Sequence, residues 1–215
     1  YEGLNPAYGH TPVRLTTDLV ESISSLGGTY LGTSRGNQDV DVMVDTLERM
    51  DISILFTVGG DGTLRGAQAL AAEIARRGRK IAIVAIPKTI DNDIAYIQES
   101  FGFQTAASEA YKAVEAAHTE ATSARNGIGL VKLMGRESGF IAAYTALADS
   151  RVNFCLVPEA PFTFEALAAA LQVRLAERGH AVIAVAEGAG QELFTATGER
   201  DASGNVKFGD IGLRL

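Results

Sequence analysis

The sequence predicts an α/β fold in which a parallel sheet lies between two layers of helices. Short runs of Ile, Val and Leu alternate with helical patterns along most of the chain. These runs lack strict apolar–polar alternation, which is typical of strands covered on both faces. Strands that alternate with helices imply right-handed crossovers and therefore parallel pairing. The 215 residues are 47% hydrophobic, which is enough to build a buried core.

Five apolar runs are predicted to be strands, and the segments around them to be helices. The strands are Ile52–Val58, Ile81–Ile86, Ile128–Leu133, Val152–Val157 and Ala181–Ala186. Helices are predicted between them. Leu64–Arg77 is rich in Ala, Thr105–His118 has apolar positions three and four apart, and Phe164–Arg178 repeats Leu every four residues, at 167, 171 and 175. Upstream we expect a helix around Asp18–Leu26, an edge strand near Thr29–Leu31 and a helix near Val40–Met50. A break near Met134–Phe140 could begin a second α/β unit.

Composition limits the classes of partner. A formal charge of −7 argues against a broad surface for nucleic acid or membrane. An acidic protein binds anions locally, through a few cations, helix N-termini or a bridging metal. Cys155 is the only cysteine, so no internal disulfide can form, and we expect a reducing cytoplasm. No apolar stretch approaches the roughly 18 residues of a membrane span, and no signal peptide is visible. The start at Tyr1 suggests a missing N-terminus.

The loop Gly59–Thr63 follows the first predicted strand and has the composition of a phosphate-binding turn. Its glycines allow a tight turn, and its N–H groups would point at a ligand from a helix N-terminus. Asp61 would repel a bare phosphate, so it is best interpreted as a ligand of Mg²⁺. An ordinary strand–helix turn is the alternative, because GGDG is also good turn chemistry.

The segment Pro87–Asp93 follows the second predicted strand and carries the sharpest signal. Transfer of a phosphoryl group to an alcohol needs a base for the hydroxyl proton and positive charge for the moving phosphoryl group. Asp91 or Asp93 can act as the base, and Lys88 can supply positive charge. The alternative is an Asp/Asn turn that caps itself.

Three further side chains are candidates for ligand binding. Arg136 could bind a phosphate or a carboxylate, unless it is a surface arginine. Glu187 could accept hydrogen bonds from sugar hydroxyls, or could cap a helix. Arg35 is another candidate for phosphate. The three histidines show no metal-ligand spacing, and we expect no catalysis from them.

At these residues the sequence resembles the 6-phosphofructokinase family, whose members use ATP or pyrophosphate. The matching stretches follow the family's order across essentially the whole chain. They are GGDGT at 59–63, PKTIDND at 87–93, FGFQTA at 101–106, MGRESG at 134–139, PE at 158–159 and AEG at 186–188. The resemblance implies a phosphofructokinase-like fold of two similar Rossmann-like subdomains. Residues 1–135 would form the subdomain that binds the phosphoryl donor, and 136–215 the start of the one that binds the sugar phosphate.

The resemblance also implies roles for individual residues. Asp91 is similar to the catalytic base that deprotonates the sugar 1-hydroxyl, and Asp61 to the aspartate associated with Mg²⁺. The residues implied on the donor side are Arg35, Gly60, Asp61, Gly62 and Thr63. The residues implied on the sugar-phosphate side are Lys88, Thr89, Asp91, Asp93, Met134, Gly135, Arg136 and Glu187. A glycine-rich phosphate loop should lie upstream of Tyr1 and further phosphate-binding His and Arg residues beyond Leu215, so the chain resembles a piece of a longer enzyme.

The implied reaction is phosphoryl transfer from ATP to fructose 6-phosphate, giving fructose 1,6-bisphosphate in glycolysis, by a cytoplasmic homodimer or homotetramer. In the family, the residue after GGD discriminates between donors. Gly62 leaves room for the α-phosphate of ATP, whereas Lys88 is typical of pyrophosphate users. Members of the longer branch combine both residues, and the stretch NGIGLVKLMGR at 126–136 resembles that branch. The alternatives are a pyrophosphate-dependent enzyme, another kinase with a GGDG turn (an NAD or lipid kinase), and a catalytically silent sugar-phosphate-binding subunit.

Overall fold

The computed structural model describes residues 2–34, 36, 38–195, 198–200 and 205–215. Contacts divide the chain into two compact units: Tyr1–Ile86 with Asp201–Asn205, and Pro87–Arg200 with Val206–Leu215. The boundary predicted between residues 135 and 136 lies inside the second unit and stays a prediction.

The described residues form seven α-helices, six strands and four short 3₁₀ turns. The helices are α1 (Thr17–Val20), α2 (Val40–Arg49), α3 (Asp61–Arg76), α4 (Phe103–Ser123), α5 (Phe140–Ala148), α6 (Phe164–Arg178) and α7 (Ile211–Arg214). The strands are β1 (Ile54–Gly59), β2 (Ala82–Thr89), β3 (Phe101–Gly102), β4 (Gly127–Leu133), β5 (Phe154–Leu156) and β6 (His180–Ala186). The 3₁₀ turns are Glu2–Leu4, Pro6–Tyr8, Ile23–Ser25 and Gln191–Leu193. None of the helices described is long and apolar enough to cross a membrane.

In the first unit, β1 lies beside β2, and helices α2 and α3 pack on one face of this pair. Asp39 begins α2 by accepting hydrogen bonds from the amides of the first turn. The core of the unit consists of apolar side chains from both helices, packed against Leu55 and Ile83. On the other face of β1, Ile54, Phe56 and Val58 are each more than half exposed. Burial on both faces, which the apolar run predicted, is therefore not seen for β1 among the described residues.

Two predictions upstream of α2 differ from the structure. The helix expected around Asp18–Leu26 is limited to α1 and the 3₁₀ turn Ile23–Ser25. The edge strand expected near Thr29–Leu31 is wrong, because the chain turns there: the amide of Gly32 donates to the carbonyl of Thr29 at 3.4 Å. Gly28 and Gly32 both adopt a positive φ, which an extended strand does not use.

The second unit contains a parallel sheet in the order β4-β6-β5. Alternate residues of β6 point to opposite faces, and the strand is buried along nearly its whole length. Val182, Ala184 and Ala186 pack against α4 and α5. Ile183 and Val185 pack against α6 and α7 on the opposite face. This unit has the predicted three layers of helices, sheet and helices, and the predicted parallel α/β fold is confirmed.

We expect the free energy of unfolding to depend strongly on the centre of β6. Ile183 is 3% exposed, so Ile183→Ala leaves a cavity and should cost about 2–5 kcal/mol. The matched control is Ile128→Ala in the neighbouring strand, where the side chain is 48% exposed and the loss should be clearly smaller. Denaturant unfolding of both variants measures the difference. Equal losses would contradict the two-sided burial of β6.

Candidate active site

The loop after β2 is held in place by side chains that bond to its backbone. Thr89 Oγ1 accepts from the amide of Asp91 at 3.2 Å. Asn92 has φ 55°, a conformation that asparagine tolerates better than most residues, and its Oδ1 accepts from the amide of Ser100 at 2.8 Å. The hydroxyl of Ser100 donates to the carbonyl of Thr89 at 2.7 Å. These bonds close the loop on itself and fix the backbone that carries Asp91.

The loops after β4 and β6 lie side by side because the pairing of these strands continues beyond their ends. The amide of Glu187 donates to the carbonyl of Leu133 at 2.9 Å, and the amide of Gly188 to the carbonyl of Gly135 at 3.0 Å. A Cβ at Gly188 would clash with the carbonyl of Arg136, so only glycine permits this close approach. The structure therefore places the backbones of Gly135, Arg136 and Glu187 together, as the sequence predicted for the carboxyl ends of strands.

A serine joins the loop after β2 to the loop after β4. Ser138 is 5% exposed, and its hydroxyl donates to the carbonyl of Asp91 at 2.8 Å. The next residue, Gly139, precedes α5, and its amide donates to both carboxylate oxygens of Glu159 at 2.8 and 3.1 Å. A carboxylate is favourable at a helix N-terminus, so Glu159 stabilises the start of α5. These contacts connect Asp91, the loop after β4 and the end of β5.

The electrostatic environment of Asp91 raises the pKa of its carboxyl group. Burial is the largest cause, and the negative charges of Asp93 and then Glu187 act in the same direction. The guanidinium of Arg136 acts in the opposite direction. Three residues that the sequence singled out therefore lie within electrostatic reach of Asp91: Asp93, Arg136 and Glu187.

The other residues predicted on the sugar-phosphate side also lie in the second unit. Lys88 is an exposed residue of β2, opposite Phe101 in the parallel β2–β3 pair. Met134 follows β4 and is 59% exposed. Arg136 contacts two residues that are distant in sequence. Its Nη2 donates to the carbonyl of Val206 at 2.6 Å, and its guanidinium lies 4.1 Å from the ring centre of Phe208.

The residues predicted on the donor side lie at the start of α3, apart from Arg35, which falls outside the described residues. Gly60 caps the helix, Asp61 is its first residue, and Gly62 and Thr63 follow in the first turn. A Cβ at Gly59 would clash with the side chain of Thr63, so the strand must end in glycine here. A Cβ at Gly62 would meet nothing within 4 Å. The turn therefore lies at the N-terminus of α3, where the helix dipole favours a negative charge, and the amide of Thr63 donates within the turn to the carbonyl of Gly60 at 2.9 Å.

Asp61 is compatible with the predicted role of a Mg²⁺ ligand. Its carboxylate is 65% exposed and pairs with Arg65 one turn later, at 2.8 Å. In the parts of the chain that the structure describes, no three His, Cys, Asp or Glu side chains gather into a metal site of their own. Mg²⁺ at phosphate-transfer sites commonly uses one or two carboxylates together with phosphate oxygens and water. An exposed carboxylate in the first turn of a helix has the ligand chemistry that such a site requires.

Sequence reasoning missed several residues that hold the site together. Asn92, Ser138 and Glu159 stood inside motifs that were recognised, but no role was predicted for them. Gln191 and Phe208 lie outside every motif quoted from the sequence. The Asp-Asn-Asp sequence was a usable signal for the turn at Asn92. The bonds from Ser138 to Asp91 and from Gln191 to Gly209 join residues 47 and 18 positions apart, and a local pattern carries no signal for them.

Gly127 begins β4, and a Cβ there would clash with the backbone of Ala121 in α4. The close packing of α4 against β4 therefore requires glycine at this position.

Comparison with known proteins agrees with this geometry. The family model described as phosphofructokinase matches residues 1–207. The chain is 52% identical to an ATP-dependent 6-phosphofructokinase of Trypanosoma cruzi, over all of this chain and 44% of that protein. It is 51% identical to an ATP-dependent 6-phosphofructokinase of Borreliella burgdorferi, over all of this chain and 50% of that protein.

A solved structure gives the same result for the fold. The crystal structure of Pichia pastoris phosphofructokinase in the T-state superposes with a TM-score of 0.72 at 25% identity, covering 81% of this chain and 20% of that one. This chain spans about half the length of the curated relatives it matches. The match of the family model over nearly the whole chain, together with these identities, shows that the chain belongs to the phosphofructokinase family.

Proposed function

We propose that the protein transfers a phosphoryl group from ATP to the 1-hydroxyl of fructose 6-phosphate, with Asp91 as the general base. The observation that carries this proposal is the environment of Asp91: a half-buried carboxylate of raised pKa beside Asp93, Glu187 and the cation Arg136. The names of the two relatives at 52% and 51% identity, both ATP-dependent 6-phosphofructokinases, support ATP as the donor. Cytoplasmic location and a homodimer or homotetramer stay predictions.

Asp91 is suited to accept a proton because its environment makes it a stronger base than an ordinary aspartate. A sugar hydroxyl is a poor nucleophile at neutral pH, and a carboxylate within about 3 Å can take its proton as the new bond forms. Burial and the neighbouring negative charges raise the pKa of Asp91, which increases its affinity for that proton. The carbonyl of Asp91 accepts a hydrogen bond from Ser138, and its amide donates one to Thr89. These two bonds hold the backbone of Asp91, and with it the carboxylate, in position.

The remaining residues of the acceptor side would bind the sugar phosphate. Arg136 offers a planar guanidinium, which can bond two phosphate oxygens at once. Glu187 can accept hydrogen bonds from sugar hydroxyls, and the exposed Lys88 adds positive charge. Met134 and Gly135 would contribute apolar and backbone contacts. Thr89 and Asp93 are the last two residues proposed for the sugar-phosphate side, where they would shape the loop around Asp91.

On the donor side, the amides of the α3 N-terminus would bind the ATP phosphates. Gly60, Gly62 and Thr63 supply the backbone of this turn, and Arg35 is proposed as a further phosphate contact. Asp61 would hold Mg²⁺, which when bound neutralises negative charge on the phosphates. We further propose that residues 1–135 serve the donor and that 136–215 begin the part that serves the sugar phosphate.

Pyrophosphate is the second candidate donor, because of Lys88. We expect the full-length protein to phosphorylate fructose 6-phosphate faster with ATP than with pyrophosphate in a coupled assay. Gly62→Asp should weaken the use of ATP much more than the use of pyrophosphate. A side chain at this position meets open space in the protein, so its conflict would be with the α-phosphate of ATP. Equal loss with both donors would show that Gly62 does not set the preference.

Removal of the base should reduce the rate much more than it reduces binding. Asp91→Asn keeps the shape of the side chain and removes the proton acceptor, so kcat should fall by roughly 10²–10⁴-fold while the KM for fructose 6-phosphate changes little. Steady-state kinetics of the full-length protein measure both quantities. The control Glu109→Gln alters an exposed carboxylate on α4 and should leave kcat unchanged. If Asp91→Asn keeps more than about a tenth of the wild-type kcat, another group is the base.

The raised pKa of Asp91 also predicts the pH dependence of the reaction. A base acts only when deprotonated, so kcat/KM should decline on the acid side at a pH above the usual carboxyl range. Asp93→Asn removes a negative charge that raises the pKa of Asp91, so this decline should move to lower pH. A pH profile of kcat/KM for the wild-type protein and for Asp93→Asn tests the direction of this shift. A shift to higher pH, or no shift, would contradict the assigned cause.

A further inference from the structure

The side chain of Arg136 is oriented by a segment about 70 residues further along the chain. This segment, Val206–Gly209, places the carbonyl of Val206 2.6 Å from Nη2 of Arg136. The ring of Phe208 covers the guanidinium at 4.1 Å from its centre, which is a favourable cation–π distance. The ring therefore covers the guanidinium, and the carbonyl of Val206 binds one of its terminal nitrogens. These two contacts limit the directions in which the other N–H groups of Arg136 can point.

Gln191 connects this segment to Glu187. Its Nε2 donates to the carbonyl of Glu187 at 2.8 Å and to the carbonyl of Gly209 at 3.0 Å. Its Oε1 accepts from the amide of Gly209 at 2.9 Å. A Cβ at Gly209 would clash with the ring of Phe194, so the segment is also packed closely from a second side. One amide side chain therefore fixes Phe208 relative to the loop that carries Glu187.

The backbone of Arg136 does not depend on these contacts. It is fixed by the continuation of the β4–β6 pairing, in which the amide of Gly188 donates to the carbonyl of Gly135. The last residues of β6, Val185 and Ala186, are completely buried. Val206 and Phe208 touch the side chain of Arg136, so their effect is on the direction of the guanidinium. A long arginine side chain that is held in one direction loses less conformational entropy when it binds a ligand.

We propose that Phe208, held by Gln191, is a positioning residue that aims the guanidinium of Arg136 at the phosphate of the sugar substrate. This inference rests on the proposed function, because it takes Arg136 as a ligand-binding side chain. Phe208 acts through Arg136 and does not itself touch the substrate. Gln191 acts one step further away, by keeping Val206–Gly209 against the loop of Glu187.

The test compares variants of the full-length protein by calorimetric binding of fructose 6-phosphate and by steady-state kinetics. Phe208→Leu keeps an apolar side chain and removes the aromatic face, so the Kd and KM for fructose 6-phosphate should rise roughly three- to thirty-fold. The KM for ATP and the melting temperature should stay close to the wild-type values. Phe208→Tyr restores a ring and should restore the affinity. Gln191→Leu should weaken sugar-phosphate binding in the same direction.

The matched control is a second arginine–phenylalanine pair in the same unit. The guanidinium of Arg214 lies 5.4 Å from the ring centre of Phe164, outside the site, so Phe164→Leu should leave the Kd for fructose 6-phosphate unchanged. A double-mutant cycle adds the decisive comparison. In an Arg136→Met background, Phe208→Leu should have no further effect on affinity, since its action passes through Arg136.

The outcomes separate this inference from the proposed reaction. A protein that binds fructose 6-phosphate in the predicted manner, but transfers no phosphoryl group to it, would disprove the reaction and support the role of Phe208. A protein that turns over normally, with Phe208→Leu unchanged in Kd and KM, would overturn the role of Phe208 and leave the reaction standing. Loss of affinity that persists in the Arg136→Met background, or absence of any sugar-phosphate binding by the wild-type protein, would also overturn it.

Discussion

The pairing of β4 with β6 does not stop at the ends of the strands, and the acceptor side of the site depends on this continuation. The last paired residues, Leu133 and Ala186, are followed by two further backbone hydrogen bonds that bring Gly135 and Glu187 together. Side chains alternate along a strand, so a shift of one residue would exchange the two faces of β6 and place Ile183 and Val185 where smaller side chains now pack. Because β6 is buried on both faces, the core fixes the register. The same register then sets the positions of Arg136 and Glu187.

The surroundings of Asp91 combine features that a chain selected only for stability would avoid. Burial of a carboxylate is unfavourable, and two further carboxylates nearby add repulsion, which is why the pKa of Asp91 is raised. The structure holds this arrangement through the backbone, by the hydrogen bond from Ser138 and by the closure of the loop through Asn92 and Ser100. Arg136 offsets part of the negative charge. Functional sites typically contain groups in an unfavourable electrostatic environment that the hydrogen bonds of the surrounding structure hold in place.

Arg136 is held at two levels by different kinds of contact. Its backbone is positioned by strand pairing and by the close approach of Gly188, both of which belong to the sheet. Its guanidinium is positioned by Val206 and Phe208, which belong to a segment tied to the sheet through Gln191. The first level belongs to the fold, and the second concerns the ligand in the role proposed for Arg136. On that proposal, changes in Val206–Gly209 should alter ligand affinity with little effect on the core.

The sequence alone determined the class of fold and most residues of the candidate site. The buried strands appeared as apolar runs, and the loops after them appeared as Gly, Asp and Arg motifs, because burial and turn chemistry are local properties. The edge strand expected near Thr29–Leu31 was wrong, since a strand needs a partner that a short apolar pattern cannot guarantee. The contacts made by Ser138, Gln191 and Phe208 were decided only by the tertiary structure. They join residues that lie tens of positions apart, and their energies depend on a packing geometry that no local pattern contains.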